Sequence, residues 1–257
     1  MGLFDMFKKK ECSICGGEIG LLGNRKLADG NMCKECANKL SPWFSDRKES
    51  TIAQISKQLE YREENKKAVE SFNTTRTLGQ YIKVLIDEDA RKFMVTSAKN
   101  LREANPDVLD FSQVTGCQFD IDEHSNEETT KDKEGKTISY NPKRYEFYYD
   151  FEITIFVNHP YFDEMRFKLN SSSVETTNGV AVPITRKPNP KYNQDYREYE
   201  AMGKEIEAIF INARKLIRDE VNAASAPKKA VTCPFCGATT TPDSSGCCEY
   251  CGGSVNK

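Results

Sequence analysis

Ten cysteines occur in this chain of 257 residues, and their spacing constrains the fold more than any other feature of the sequence. Two Cys-x2-Cys pairs lie near the amino terminus, and two more lie near the carboxyl terminus. Two intervening residues let the chain turn so that both sulfur atoms face one ion about 2.3 Å away, and two pairs complete a tetrahedron. The spacing therefore predicts two structural zinc ions with these ligands: Cys12, Cys15, Cys33, Cys36, Cys233, Cys236, Cys248 and Cys251.

The competing interpretation of each cysteine set is a pair of disulfides, which requires an oxidising compartment. The first ten residues, MGLFDMFKKK, place the lysines after a very short apolar stretch, whereas a secretory signal places its charges first. We therefore expect a cytoplasmic protein, in which zinc is the favoured occupant. Cys247 leaves the identity of one ligand open, because it could replace Cys248, but the spacing of the other pair favours Cys248.

The segments around the two cysteine sets predict two small zinc modules. Ile19 to Met32 has the turn residues of a hairpin, and a short helical run follows Cys33, so residues 1–48 are expected to form a treble-clef-like zinc finger. Between the C-terminal pairs the chain is mostly Thr, Ser, Pro and Gly, which predicts a zinc ribbon over residues 231–257. So few apolar side chains cannot fold this segment alone, and metal binding has to supply the missing free energy.

A helix is predicted to connect the first finger to the middle of the chain. Ser50 to Phe72 carries apolar residues on one side and many charged residues, Arg62 among them, on a side expected to face solvent. Residues 49–73 are accordingly assigned to a connecting helix.

Residues 74–222 are predicted to form a β-rich α+β domain of antiparallel strands closed by a C-terminal helix. Strand patterns occur at Tyr81–Ile86, Arg91–Thr96, Val114–Ile121, Tyr145–Val157 and Tyr161–Leu169, and an amphipathic helix is predicted at Asp195–Val221. The segment from Asp120 to Gly135 contains seven acidic residues and is predicted to be a polar hairpin loop. Residues 170–193 are expected to be a long excursion, and residues 223–230 a linker. The order of elements resembles that of pleckstrin-homology-like domains.

The amino-terminal stretch also resembles a known family. Cys12, Cys15, Cys33 and Cys36 match the four-cysteine pattern of the bacterial DUF4428 family, and GLLGNRKLADG is its most distinctive part. The resemblance covers the first fifth to quarter of the chain. It implies zinc binding and a bacterial origin, and it implies no reaction.

The closed four-cysteine sites, the tethered ribbon and the lack of a catalytic constellation in the sequence favour a non-catalytic adaptor or interaction protein, whose central domain binds a protein or another ligand. The net charge is −2, so the whole molecule does not attract nucleic acid, although nucleic-acid binding through the zinc ribbon remains the alternative. Weak membrane contact through residues 1–10 is a further alternative, but no transmembrane segment is predicted. A hydrolytic or redox enzyme is less favoured. Its candidate residues would be Cys117 with His124, or His159 with Asp163 and Glu164.

Overall fold

A computed structural model describes residues 10–225, 230–243 and 245–255. The chain divides into two compact units, of which the first ends at Arg214 and the second begins at Lys215. Residues 10–48 are called the N-terminal module below, and the described residues from 230 to 255 are called the C-terminal module. The predicted membrane contact concerns residues 1–10, of which 1–9 lie outside the described residues.

The N-terminal module consists of two short hairpins followed by one turn of helix. Its elements are β1 (Lys10–Glu11), β2 (Glu18–Ile19), β3 (Arg25–Lys26), β4 (Asn31–Met32) and α1 (Lys34–Ala37). β1 pairs with β2, and β3 pairs with β4, so the predicted hairpin is confined to Arg25–Met32. Its small core contains two cysteines and aliphatic residues, joined by Ile55 from the next helix: Cys12, Ile19, Leu27, Met32, Cys36, Leu40 and Ile55.

Helix α2 (Ile52–Ser71) lies within two residues of the predicted helix at each end. Thr51 begins it with a capping box, because its hydroxyl accepts from the backbone of Gln54 and the Gln54 side chain accepts from the backbone of Thr51. The buried side of the helix is largely polar and includes Gln58, Arg62 and Asn65. The expectation that Arg62 faces solvent is therefore wrong, because this residue is 5% exposed.

The first central sheet has four antiparallel strands in sequence order. They are β5 (Arg76–Leu78), β6 (Lys83–Asp87), β7 (Lys92–Thr96) and β8 (Leu109–Asp110), with the short helix α3 (Leu101–Ala104) between β7 and β8. Val84, Leu85 and Ile86 of β6 are all buried. Because both faces of this strand are covered, its sequence does not alternate strictly between apolar and polar residues.

The second central sheet is built around one long strand. Its strands are β9 (Val114–Lys131), β10 (Thr137–His159), β11 (Phe162–Lys168), β12 (Val174–Glu175) and β13 (Val182–Pro183), and β10 pairs with each of the other four. The predicted pairing of the Tyr145 and Tyr161 strands is present as β10 and β11. The excursion at residues 170–193 contributes β12 and β13 to the same sheet.

The polar segment Asp120–Gly135 is mostly strand, so the prediction that the whole segment is a polar hairpin loop is wrong. β9 continues to Lys131 alongside β10, and only a tight turn closed by Asp132 and Gly135 joins them. Pairing to β10 holds the backbone of β9 extended although most of its side chains from Asp122 onward are exposed and polar. Hydrophobic periodicity cannot detect such a strand, because neither of its faces is buried.

Helix α4 (Gln194–Ser225) contacts both central sheets with its amino-terminal part. Phe210 packs against Phe93 of β7 at 4.8 Å between ring centroids, and Tyr196 packs against Phe151 of β10 at 5.2 Å. Gly203 allows a close approach, since a Cβ there would lie 2.1 Å from the Phe119 ring. The prediction of antiparallel strands accompanied by a C-terminal helix is thus confirmed as a mixed helix and sheet structure.

The C-terminal module has little regular structure. Its strands are β14 (Val231–Thr232) and β15 (Thr239–Thr240), which pair with each other. Among the helices that the structure describes, none is both long and apolar enough to cross a membrane.

Candidate metal centres

The N-terminal module brings its four cysteine sulfurs together. The ligand atoms of Cys12, Cys15, Cys33 and Cys36 all lie within 4.8 Å of one another, and the sulfurs of Cys15 and Cys33 are 3.9 Å apart. Four thiolates at 2.3 Å from one tetrahedral zinc ion would be separated by about 3.8 Å. A disulfide would instead need a sulfur separation of about 2.05 Å. The donor set and its spacing therefore fit a metal ion.

A tight turn positions the first cysteine pair. The amide of Gly16 donates to the Cys12 carbonyl at 2.8 Å, and the amide of Cys12 donates to the Gly17 carbonyl at 2.8 Å. Gly16 has a φ of 71°, which an L-residue with a side chain rarely adopts. The glycines after Cys15 thus allow the backbone to reverse and turn both sulfurs inward.

The second pair of this cluster is positioned by a helix. Cys33 is the N-cap of α1, and its sulfur accepts from the amide of Cys36 at 3.3 Å. The amide of Cys33 in turn donates to the sulfur of Cys12 at 3.2 Å. Burial would raise the pKa of Cys12, but backbone amides, first that of Cys15, outweigh it and lower the pKa to about 6. These amides favour the thiolate that a metal requires.

The C-terminal module repeats the same turn twice. The amide of Gly237 donates to the Cys233 carbonyl, and the amide of Cys233 donates to the Ala238 carbonyl, at 2.9 Å each. These are the same two hydrogen bonds that Cys12 makes with Gly16 and Gly17. In the second turn, the amide of Gly252 donates to the Cys248 carbonyl, and the amide of Cys248 donates to the Gly253 carbonyl. The two glycines that follow the pairs have φ values of 73° and 71°. Three of the four cysteine pairs in the chain are therefore one local structure, and only the Cys33 pair uses a helix.

The four sulfurs of this second cluster are also close together. The sulfurs of Cys233 and Cys251 are 3.5 Å apart, those of Cys236 and Cys248 are 3.7 Å apart, and all four lie within 4.8 Å. Backbone amides, first that of Cys251, lower the pKa of Cys248 to about 6 against the opposing effect of burial. The predicted ligands are thus brought together at both ends of the chain, where they could hold two metal ions.

Cys247 and Cys248 occupy different environments. The sulfur of Cys248 is in the cluster and the residue is 2% exposed, whereas the sulfur of Cys247 lies 3.9 Å from the carbonyl oxygen of Ser245. The backbone amide of Cys247 donates to Asp243 and fixes the loop before the pair. This geometry favours Cys248 as the ligand.

We expect Cys248→Ser to remove one zinc ion and Cys247→Ser to remove none. A serine at position 248 takes away a thiolate whose sulfur contributes to the cluster, while position 247 points outside it. Metal content per chain, measured by native mass spectrometry on both purified variants, compares these outcomes directly. The reverse pattern would assign the ligand to Cys247.

A third group of metal-ligating side chains lies on the second central sheet. Atoms of Asp122, His124 and Asp150 come within 4.8 Å of one another. The Asp150 carboxylate, however, accepts from Lys168, Asn170 and Ser173 at 2.8–2.9 Å. The ammonium group of Lys168 therefore already neutralises this carboxylate, and these donors lower the pKa of Asp150 against the effect of burial. We interpret Asp150 as part of a structural hydrogen-bond network rather than as a metal ligand.

The predicted catalytic pairings are not assembled. Cys117 and His124 lie seven residues apart on β9, which separates them by about 23 Å along the strand. Burial raises the pKa of Cys117 to about 12, whereas a nucleophilic cysteine needs a lowered value. His159 stacks on Phe162 at 4.1 Å and is half-buried rather than facing water, and its burial lowers its pKa. It shares a cleft with Asp163 and Glu164, but these three do not form a metal-ligating group in the described part of the chain.

A buried polar network was missed from the sequence. Asp107 is fully buried, and its carboxylate accepts from Arg62 at 2.7 Å and from Ser41 at 2.8 Å. Arg62 also donates to the carbonyl oxygen of Lys39 at 3.2 Å, so the network joins α2 to the end of the N-terminal module. The only signal in the sequence was the spacing of Gln58, Arg62 and Asn65 on one side of a helix that also has many exposed charges.

Comparison with known proteins identifies one part of the chain. No curated protein and no solved structure matches the sequence. Residues 10–58 match the model of the family described as domain of unknown function DUF4428, which confirms the resemblance for this part. The match contains all four cysteines of the N-terminal cluster and ends within α2. The N-terminal module and the start of α2 are therefore similar to a family defined without an assigned activity.

Proposed function

We propose that this protein is a non-catalytic, zinc-binding interaction protein. Two structural zinc ions, each held by four cysteines, flank a central domain that binds a ligand or a protein. One observation carries the proposal: at both clusters the chain supplies four thiols, which fill every position of a tetrahedral zinc ion. A catalytic zinc ion keeps one position for water or substrate, and neither cluster leaves one.

Exposed apolar side chains on both modules support a binding role. Leu21 and Leu22 are 102% and 93% exposed at the tip of a turn closed by the amide of Gly23, which donates to the Gly20 carbonyl. Phe235 and Tyr250, each inside a cysteine pair of the C-terminal module, are 71% and 72% exposed. The metal ions would hold these side chains in fixed positions in water, as a contact surface requires.

The finer architecture belongs to the same proposal. We infer a treble-clef-like finger from the knuckle at Cys12, the β3–β4 hairpin and the helix that begins at Cys33. We infer a pleckstrin-homology-like centre from the two antiparallel sheets and α4, and a zinc ribbon from the two facing turns of the C-terminal module. A reducing cytoplasm, which keeps the thiols available for metal, is the compartment that fits these sites.

Nucleic-acid binding is the second candidate, and the exposed rings of Phe235 and Tyr250 favour it, because bases stack on aromatic side chains. Charge opposes it. A zinc ion with four thiolates carries a net charge of −2, which leaves the chain from Ser225 onward near −1. Phosphate contacts need clustered Lys and Arg.

Cobalt substitution tests whether the metal sites are closed. We expect the Co²⁺-loaded protein to show the absorption of tetrahedral thiolate sites, unchanged by added azide or imidazole. A native mass spectrum of the protein purified without chelator should show two zinc ions and no bound nucleotide. A spectrum that responds to azide would reveal an open position and overturn the structural role. Co-purified nucleic acid would favour the second candidate.

A further inference from the structure

A cleft of about 790 Å³ separates the end of the N-terminal module from the edge of the second central sheet. One wall comes from residues 42–50 and the first turns of α2, and the other comes from the turn between β10 and β11 and the start of β11. This volume lies within the range of about 300–1,000 Å³ that is typical of ligand sites. No residue of either cysteine cluster lines the cleft, so it is separate from the metal centres.

Aromatic rings held by packing line this cleft. Trp43 contacts Phe167 of β11, with 6.4 Å between ring centroids. On the opposite wall Tyr161 lies 5.4 Å from Tyr61 and 5.7 Å from His159. Rings fixed in this way lose little further freedom when a ligand binds, and their faces attract cations.

The charges around the cleft are predominantly negative. Its lining contains the carboxylates of Asp46, Glu49, Asp163 and Glu164 and the cations of Lys57 and Arg166. Arg166 is already paired with Glu152, outside the lining, at 2.7 and 2.5 Å. In the described residues, the side chains of Glu49 and Asp163 make no hydrogen bond or ion pair, and Glu164 makes only a longer-range charge interaction with Arg166. Burial lowers the pKa of His159, which disfavours a positive charge on its ring beside these carboxylates.

We propose that this acidic, aromatic cleft binds a Lys- or Arg-containing peptide segment of a partner protein. The inference rests on the proposed interaction role and names the site and the class of partner. Free carboxylates pair with ammonium or guanidinium groups, and the rings of Trp43 and Tyr161 receive the same cations by cation–π contact. The same carboxylates repel phosphate, which disfavours a nucleic acid or an anionic lipid here. The volume of the cleft, about 790 Å³, suits a few peptide residues better than one small cation.

Trp43 makes the proposal directly measurable, because it is the only tryptophan in the chain and it lines the cleft. Three octapeptide probes of identical spacing, with four Lys, four Arg or four Gln alternating with Ala, are titrated into the full-length zinc-loaded protein. We expect the Lys and Arg peptides to change the fluorescence of Trp43 saturably, and the Gln peptide not to. The affinity should fall as salt is added, since the pairs are partly exposed.

Charge-neutralising variants locate the binding. Asp163→Asn combined with Glu164→Gln should weaken binding of the Lys peptide by about fivefold to tenfold, in line with two exposed ion pairs. Glu70→Gln combined with Glu134→Gln removes the same charge from exposed residues outside the cleft lining and should change the affinity less than twofold. Zinc content and thermal midpoint confirm that both variants remain folded.

Each contrary result has a distinct meaning. Failure of both cationic peptides to bind, or equal binding of the Gln peptide, overturns the cleft proposal. A second contrary result is that calorimetry detects peptide binding, Trp43 fluorescence does not change, and the two double variants have equal effects. The peptide would then bind another surface, which rejects the cleft proposal and leaves the interaction role in place. The interaction role itself fails only in the separate cobalt experiment or through a co-purified substrate or nucleic acid.

Discussion

Cys12→Ser should release one of two zinc ions and unfold the N-terminal module. Cys12 is 2% exposed and belongs to the module core, and its sulfur accepts a hydrogen bond from the backbone amide of Cys33. Replacing this sulfur therefore removes a metal ligand and a packing contact together. Structural zinc sites in small peptides contribute on the order of 10–16 kcal/mol of folding free energy at neutral pH. The measurements are metal content by native mass spectrometry and the dispersion of amide NMR signals from residues 10–48.

Cys117→Ser is the matched control for this substitution. Cys117 is half-buried on β9 and lies outside both clusters, so this variant should keep two zinc ions and the native spectrum of the N-terminal module. Full retention of two ions by Cys12→Ser would remove Cys12 from the ligand set. Loss of metal from both variants would point to general instability rather than to coordination.

Arg62→Met should destabilise the first unit by about 3–5 kcal/mol, the cost of leaving a buried charge without its partner. Arg62 and Asp107 have side chains that are 6% and 0% exposed, at a separation of 2.7 Å. The remaining donors to Asp107, the hydroxyls of Ser41 and Tyr61, carry no compensating charge. Urea unfolding followed by Trp43 fluorescence measures the change.

Two further variants make this result interpretable. Adding Asp107→Leu to Arg62→Met removes the uncompensated carboxylate, so the double variant should recover part of the lost stability. Lys66→Met breaks the exposed Lys66–Glu63 pair on the same helix, at 2.6 Å, and should leave the unfolding midpoint nearly unchanged. If Arg62→Met lowers the free energy of unfolding no more than Lys66→Met does, the buried pair stabilises the protein no more than the exposed pair.

Local chemistry determined how much of this structure was predictable. The cysteine clusters follow from the Cys-x2-Cys spacing because each pair is formed by one turn, which a few neighbouring residues specify. Helices α2 and α4 begin and end close to the predicted residues, since capping by Thr51 and the apolar spacing in α4 are local signals. These features need no knowledge of the rest of the chain.

Features that depend on distant contacts were not predictable. From Asp122 onward β9 is extended because β10 pairs with it, and the side chains of this part do not indicate a strand. The burial of Arg62 depends on Asp107, which is 45 residues away in the sequence. The cleft unites Trp43 with Glu164, and no pattern within either segment indicates that they share a surface.

The polar character of β9 bears on how this protein behaves at high concentration. From Asp122 to Lys131 its outer edge pairs with no other described strand, so free amides and carbonyls could recruit a second molecule. Asp122, Glu123, Glu127 and Glu128 lie along that edge and place carboxylates on both faces of the strand. Glu123, Glu127 and Glu128 are ion-paired within the molecule, so two copies meeting edge to edge would oppose like charges that are only partly neutralised. The acidic sequence that hides this strand from hydrophobic patterns is therefore also of the kind that disfavours edge-to-edge pairing between molecules.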